Sequence, residues 1–511
     1  MNSEYTQDVA FNSDFGALQT PVHITTAALL SGWPAHKFAG HFRYLDLACG
    51  NGHTLTLLAD AYPEAEFVGL DINPTHIEQG QTLARQANLK NLQFFCSDIA
   101  DAGQLNLKEF DYCTASGVFS WLDEKRQTDL FDVATRALVQ GGLFFLDYCA
   151  LPGITQNATL YGMLQQLSTE YSGSSAEKLK GASQLLAEVR GNNGQFFQQN
   201  GQANERFSRL LANAPEDEAH EVLNLQPRSV WSRDIIAKAQ SVGLEFVGSA
   251  GLHHNIAEFS AHLGLPANSE QFSVATQQML QDIAWNIAQR KDIYCKGAKP
   301  STSSLLQRIG ECHFYFAPGA LSDNMIGHIT TQFPAANLLT PTIVSLLRDH
   351  ADCSTINALI NKLCERYQAK LASPFLEAEK LVTQLLATRV MSLAKPIAPS
   401  SPQGTLCMPS LLNQTLLKQD IHLEHGRPLA SPLIGTRLLL PIKDRLYLWA
   451  LVFGDVGAAW DKLGDLQNAF HDANGQPITK QTFAAIIAQS QPAFNQRVVP
   501  ELLRLGILQY R

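Results

Sequence analysis

Over the first 150 residues, short apolar runs alternate with stretches whose apolar positions recur at helical spacing. Runs at 42–48, 66–72, 92–98, 110–115 and 143–148 predict strands, and the stretches at 52–62, 74–88 and 123–139 predict the helices between them. Asn73 before Pro74 predicts a capped start, because the asparagine accepts from early helix amides and the proline has no amide to satisfy. Gly141-Gly142 predicts the stop of the third helix. Strands that are apolar along their whole length and alternate with helices predict a parallel sheet covered on both faces, an α/β architecture.

Beyond residue 153 the pattern shifts to longer helical periods and polar loops. The Gly-, Asn- and Gln-rich segment 191–205 predicts an exposed loop. A run at 220–225, a helical pattern at 232–242 and a run at 244–247 predict a return to the sheet, so 153–219 reads as a helical insertion in a first domain spanning 1–252. A mainly helical middle domain is expected over 253–395. A linker follows at about 396–410, where Pro396, Pro399, Pro402 and Pro409 alternate with serines and a threonine. The last unit, 411–511, is expected to be helical and winged-helix-like, closing on Gly506-Ile507-Leu508-Gln509-Tyr510. A chain of 511 residues needs several such cores, since domains run to ~100–200 residues.

Composition narrows the partners. An apolar fraction of 45% and a charged fraction of 17% describe a globular protein, and the net charge of −9 repels phosphate backbones, which argues against nucleic acid. The most apolar stretch, 446–460, holds Asp455 and two glycines, so a buried core segment is expected there and no membrane span. The opening residues carry an acidic flank and no apolar stretch, unlike a secretory signal. Nine scattered cysteines without a CxxC pair predict neither a disulfide framework nor a metal site, and suit the reducing cytoplasm.

The chemistry concentrates in Tyr44-Leu45-Asp46-Leu47-Ala48-Cys49-Gly50-Asn51-Gly52-His53-Thr54. A buried strand enters a turn with glycines two apart, and a helix follows. Gly50 and Gly52 permit positive φ and close approach of a ligand, and amides at the helix start suit a carboxylate. Asp71 closes the next strand 25 residues after Asp46, near the ~20-residue offset at which an acid meets ribose hydroxyls in nucleotide-binding sheets. Asp98 and Ile99 close the third strand, where a carboxylate receives an adenine amino group and an apolar neighbour covers the ring. Ser116 and Gly117 close the fourth. A nicotinamide fingerprint fails because Leu55 stands where the third glycine belongs, and a phosphate loop fails because no GK[ST] is present. The candidate cofactor residues are Asp46, Ala48, Gly50, Gly52, Asp71, Ile72, Asp98, Ile99 and Ser116, and the expected cofactor is S-adenosylmethionine.

This ordered set resembles the class I S-adenosylmethionine-dependent methyltransferases. Gly117-Val118-Phe119-Ser120-Trp121, Tyr148-Cys149-Ala150-Leu151-Pro152-Gly153 and His220-Glu221-Val222-Leu223-Asn224 are similar to members carrying a methyltransferase regulatory domain, among them bacterial protein-lysine methyltransferases. Glu4-Tyr5, Gln19-Thr20-Pro21, the segment 292–296 and 427–433 extend the resemblance along the chain. It implies a Rossmann-like seven-stranded sheet, helical middle and C-terminal domains that shape acceptor access, and a possible homodimer. The chain departs from the family pattern at Cys149, Ile154 and Phe119, where Asn, Trp and Tyr are usual, so the acceptor side differs while the cofactor side is kept.

Methyl transfer is an in-line displacement served mainly by positioning, with a deprotonated nucleophile. Tyr148 and Trp121 are the candidate catalytic residues, and Phe119 lines the expected acceptor pocket with Tyr5 and Phe11 as a flap, since aromatic faces suit a cationic amine. His23 is either a base or a structural histidine. Three functions stay open: methylation of a protein lysine, methylation of a small molecule, and cofactor sensing without turnover.

Overall fold

The computed structural model describes residues 15–34, 38–223, 228–266, 268–317, 319–351, 355–367, 374–396, 406–420, 429–431, 437–438, 440–464, 467, 470–471, 476–505 and 507–510. Tyr5, Phe11 and most of the predicted linker lie outside the described residues.

Among the described residues one sheet has seven strands: β1 (Arg43–Leu47), β2 (Glu66–Asp71), β3 (Leu92–Cys96), β4 (Phe110–Ala115), β5 (Leu138–Cys149), β6 (Leu244–Ser249) and β7 (Gln289–Lys296). Their order is β3-β2-β1-β4-β5-β7-β6. β2 is parallel to β1 and β3, and β4 to β5, whereas β7 is antiparallel to both β5 and β6. This is the class I methyltransferase sheet that the resemblance implies. The helices of the first 300 residues are α1 (Pro21–Leu30), α2 (His53–Ala61), α3 (Pro74–Gln86), α4 (Glu124–Ala137), α5 (Thr155–Ser168), α6 (Ser175–Gly191), α7 (Gln195–Gln199), α8 (Gly201–Ala212), α9 (Pro215–Val222), α10 (Ser232–Ser241), α11 (Ala257–Ser260) and α12 (Val274–Trp285). The chain divides into two units, residues 14–96 with 299–511 and residues 97–298 with 1–13.

In the first unit, β1 and β2 are buried beyond their first residues and mostly apolar, with Asp46 and Asp71 toward their ends, and Phe42 meets Tyr62 and Phe67 edge to face. Two helices begin as sequence chemistry dictates. Thr20 accepts from the His23 amide with Pro21 in the first turn of α1, and Asn73 accepts from the Thr75 amide at 2.9 Å with Pro74 opening α3. Past residue 299 helices predominate, joined by short antiparallel ladders such as His313–Phe316 with Met391–Ala394. Two of these later residues grip the C-terminal end of α2. Lys395 donates to the Ala61 carbonyl at 2.6 Å and lies 4.3 Å over the Tyr62 ring, while Ser410 donates to Asp60 at 2.6 Å. The apolar stretch 446–460 lies in the helices Ile442–Phe453 and Val456–Lys462, and no described helix is long and apolar enough to cross a membrane.

In the second unit, β4 and the apolar half of β5 are buried, and helices α5 to α9 enclose a core of their own around Leu160, Leu164, Leu179, Phe197, Phe207 and Val222. Four expectations change here. The predicted strand at 220–225 is helical as far as Val222, because Pro215 starts α9 and its apolar residues face the insertion core. The predicted loop at 191–205 holds α7 and the start of α8, whose Phe197, Ala203 and Phe207 are buried. The helix expected to stop at Gly141-Gly142 ends at Ala137. β5 begins at once with Leu138, and Gly141 at φ 79° sits where its register against β4 shifts. Finally, the sheet continues past residue 252, since β7 pairs along both β5 and β6. The strand escapes an apolar-run criterion because it opens Gln289-Arg290-Lys291-Asp292.

Candidate cofactor site and the acceptor side of the sheet

In the first unit, Asp46 is buried one residue before the end of β1 at Leu47, and the loop to α2 reverses through three left-handed residues. Ala48 has φ 62°, Gly50 58° and Gly52 68°. Ala48 bears a Cβ there, a cost of roughly 1–2 kcal/mol that the surrounding bonds must offset. Those bonds run into β2: the Cys49 amide donates to the Leu70 carbonyl at 2.9 Å, and the Gly50 amide to Asp71 Oδ2 at 2.8 Å. Asp71 Oδ1 accepts from the Asn73 amide at 2.9 Å and faces His76 Nδ1 at 3.5 Å. Asp71 thus braces the glycine loop, and with two oxygens and about four acceptor positions it retains capacity for a ligand hydroxyl. Ile72 beside it is 59% exposed, an apolar surface at the carboxyl end of β2.

Gly52 has a reason beyond ligand approach. A Cβ there would run into the Phe94 ring, and Cβ atoms at Gly69 and Gly80 would lie 2.8 Å and 3.0 Å from the same ring. Phe94 of β3 therefore fills a socket that three glycines from the loop, β2 and α3 keep open. Residue types alone left this unnoticed, although Gly69 inside an apolar strand and Gly80 inside a helix were the available signals. Around Cys49, burial and then the charges of Asp46 and Asp71 push the thiol well above its ordinary pKa, so the loop sits in a negative field. His23 is buried in α1, with its amide on Thr20.

In the second unit, Asp98 follows β3 and caps a short helical turn through the Ala100 amide at 3.0 Å. Its carboxylate also takes Arg126 Nη2 at 2.9 Å and Nε at 3.2 Å, while Arg126 Nη1 reaches Asp123 at 2.7 Å. Burial alone would raise the Asp98 carboxyl, but the Arg126 bonds, the Ala100 amide and the Arg126 charge together hold it below its ordinary value. Ile99 is buried. Ser116 is half-buried at the end of β4, followed by Gly117 at φ 68°.

The aromatics differ from expectation. Phe119 is fully buried, edge-on to Phe131 at 5.7 Å and to Tyr148 at 6.1 Å, which makes it core packing and no open pocket wall. Tyr148 is 1% exposed, and its hydroxyl donates to Asp292 Oδ2 at 2.6 Å. Burial and then the Asp292 charge push its phenol well above the ordinary range, and its hydroxyl is committed to Asp292. Trp121 is half-buried. The network around Tyr148 continues through residues to which the sequence gives no site role. Tyr294 donates to Asp292 at 3.1 Å, Arg290 to Asp292 at 2.9 Å, and Arg290 to Asp282 of α12 at 2.6 Å. On the other face of β5, Asp147 accepts from Gln289 at 2.9 Å and lies 3.9 Å from Lys291. Burial pushes this carboxyl up against the pull of Lys291, Gln289 and the Gly117 amide. Only the segment 292–296 had been singled out, and no local pattern announces a partner more than 140 residues away.

Comparison with known proteins bears on both sides. Residues 39–214 match the model of a methyltransferase domain, and residues 219–296 that of a predicted methyltransferase regulatory domain. An uncharacterized protein of Synechocystis is 24% identical over 297 residues, which are 58% of this chain and 59% of that one. One from Rickettsia prowazekii is 30% identical over 165 residues, 32% of this chain and 30% of that one. The chain thus spans less than two thirds of these relatives. PKMT2 from Rickettsia typhi superposes with a TM-score of 0.72 at 16% identity, covering 98% of this chain and 100% of that one. Its complex with AdoHcy gives 0.68 at 18% identity, covering 95% and 98%. With the sheet order and the glycine loop above, residues 39–214 are a class I methyltransferase domain, the type that uses S-adenosylmethionine, and residues 219–296 are a methyltransferase regulatory domain.

Proposed function

We propose that the whole chain is a methyltransferase that moves the methyl group of S-adenosylmethionine to the side-chain amine of a protein lysine. The observation that carries the cofactor half is the left-handed loop Ala48–Gly52 braced by Asp71. It presents glycine backbone and a helix start where a ligand carboxylate belongs, and a carboxylate within the same bonded cluster for ribose hydroxyls. Asp46, Ala48, Gly50 and Gly52 are assigned to the methionine end, Asp71 to the ribose, Ile72, Asp98 and Ile99 to the adenine, and Ser116 to the end of β4 that faces the transfer. When bound, the cofactor supplies an electrophilic methyl group on a sulfonium sulfur.

The chain's own work is positioning. Arg126 fixes the Asp98 carboxylate, which leaves its remaining acceptor positions for an amino group. Tyr148, locked to Asp292, holds the end of β5 in register with β7, a positioning role in place of the catalytic one. Of the candidate aromatics among the described residues, half-buried Trp121 is the one left to meet an acceptor. A lysine amine desolvated against such a ring loses its proton more readily, because burial disfavours the ammonium. The lysine assignment is supported by the full-length likeness to PKMT2 and by the resemblance to protein-lysine methyltransferases. A net charge of −9 disfavours a nucleic-acid acceptor. The scattered cysteines suit a cytoplasmic setting.

A second reading has its own observation. A cavity of about 790 Å³ lies along α5 and α6, lined by uncharged residues that include Leu151, Thr159, Met163, Leu167 and Val189. That volume fits a small apolar acceptor. Incubation with methyl-labelled S-adenosylmethionine and cell extract separates the readings. Label recovered as methyl-lysine in the protein fraction is the expected result, label in the low-mass fraction selects the small acceptor, and label in neither would leave a cofactor-binding protein without turnover.

A further inference from the structure

The segment before α1 is tied down on both sides. The Gly16 amide donates to Thr54 Oγ1, in the first turn of α2, at 3.0 Å, and the Tyr44 hydroxyl of β1 donates to the Gln19 carbonyl at 2.7 Å. Thr20 then caps α1. Between these anchors Gln19 is 6% exposed, and its Oε1 is buried without a hydrogen-bond donor among the described residues. Nearly all buried polar atoms in folded proteins are partnered, so a buried carbonyl oxygen left open calls for a reason. The carboxamide lies against Gly16, where a Cβ would run into it, and Gly16 is the residue bonded to Thr54. The carboxamide that carries the open acceptor therefore packs on the residue bonded to the first turn of α2, the helix that follows the glycine loop.

We propose that Gln19 Oε1 accepts a hydrogen bond from the α-ammonium of the cofactor's amino-acid end. This rests on the cofactor reading above. An amino-acid end carries two opposite charges one carbon apart. Helix-start amides attract the carboxylate and are mismatched to the ammonium, which has donors only and needs oxygen acceptors. Gln19 offers one within the same unit. The field there favours a cation, since Asp46 and Asp71 both act, after burial, to raise the neighbouring Cys49 thiol. A neutral carboxamide adds an acceptor without placing a third buried negative charge beside those two.

The test is calorimetric titration of the full chain with S-adenosylhomocysteine, its des-amino analogue, its decarboxylated analogue and 5′-methylthioadenosine. A hydrogen bond to a charged group is worth about tenfold or more in affinity. The des-amino analogue should bind the native chain at least about that much more weakly. Gln19→Leu should lose a similar factor for the two ligands that carry the amine and none for the two that lack it. Gln19→Glu keeps the acceptor and should bind S-adenosylhomocysteine at least as tightly, with a wider preference over the des-amino analogue. If Gln19→Leu fails to fold, weaker binding of S-adenosylhomocysteine by Gln19→Glu overturns the proposal. So does a Gln19→Leu chain that binds like the native one, loses all four ligands alike, or loses affinity through the carboxylate instead. A native chain that binds none of the four defeats the cofactor reading itself, a result distinct from the others.

Discussion

The glycine loop after β1 and the Tyr148–Asp292–Arg290 network at β5 and β7 both hold buried polar groups at the carboxyl end of the sheet or beside it, by opposite means. In the loop, backbone amides do the holding: Gly50 and Asn73 donate to one carboxylate, and the glycines supply the turn. In the network, side chains satisfy side chains, with a guanidinium between two carboxylates and two phenols on one of them. The loop can lose one group and still close. The network cannot, because a buried charge left alone in a low dielectric has no water to fall back on.

The largest expected effect therefore lies in the network. Arg290→Ala leaves Asp292 and Asp282 buried without their cation and should cost about 3–5 kcal/mol in urea unfolding. A loss below about 1 kcal/mol would mean that the two carboxyls are neutralised or solvated, and the contrast with the loop would fail.

Next comes Gly52→Ala, which puts a Cβ at φ 68° against the Phe94 ring. It should destabilise by about 1–3 kcal/mol and weaken cofactor binding. Adding Phe94→Leu should recover part of the stability, since the two positions share one contact, whereas strictly additive losses would show that the socket is not what constrains Gly52.

The smallest effect concerns Asp98, whose carboxyl is held below its ordinary value despite burial, chiefly by Arg126. A lowered folded pKa stabilises the fold above the unfolded value of about 3.9 and ceases to do so as pH falls through the folded value. Asp98→Asn should then lower thermal stability near neutral pH by under about 1 kcal/mol, because the pair is partly exposed, and the difference should close as pH falls through the folded value. A difference that persists in acid would assign the loss to packing instead of charge.

The same contrast explains what was legible in the sequence. Asp46, Gly50, Gly52 and Asp71 lie within one β-α-β unit, where strand spacing and turn residues announce geometry directly, and the strands at 66–72 and 110–115 follow from their apolar runs alone. β7 did not, because its first four residues are polar and its place is set by pairing with strands far away in the chain. Tyr148 was correctly placed at the end of β5, yet its hydroxyl direction depended on Asp292, which no local pattern connects to it. The segment 191–205 misled for another reason: its glycines and amides read as loop, while tertiary burial of Phe197 and Phe207 made it helix.

The central claim is that the chain holds S-adenosylmethionine at the loop after β1, and its most direct test is titration of the full chain with S-adenosylhomocysteine, with NAD as control. Saturable binding of S-adenosylhomocysteine, none of NAD, and a marked loss in Asp71→Ala are the predicted results. Absence of binding by either ligand, or equal binding of both, would contradict the account.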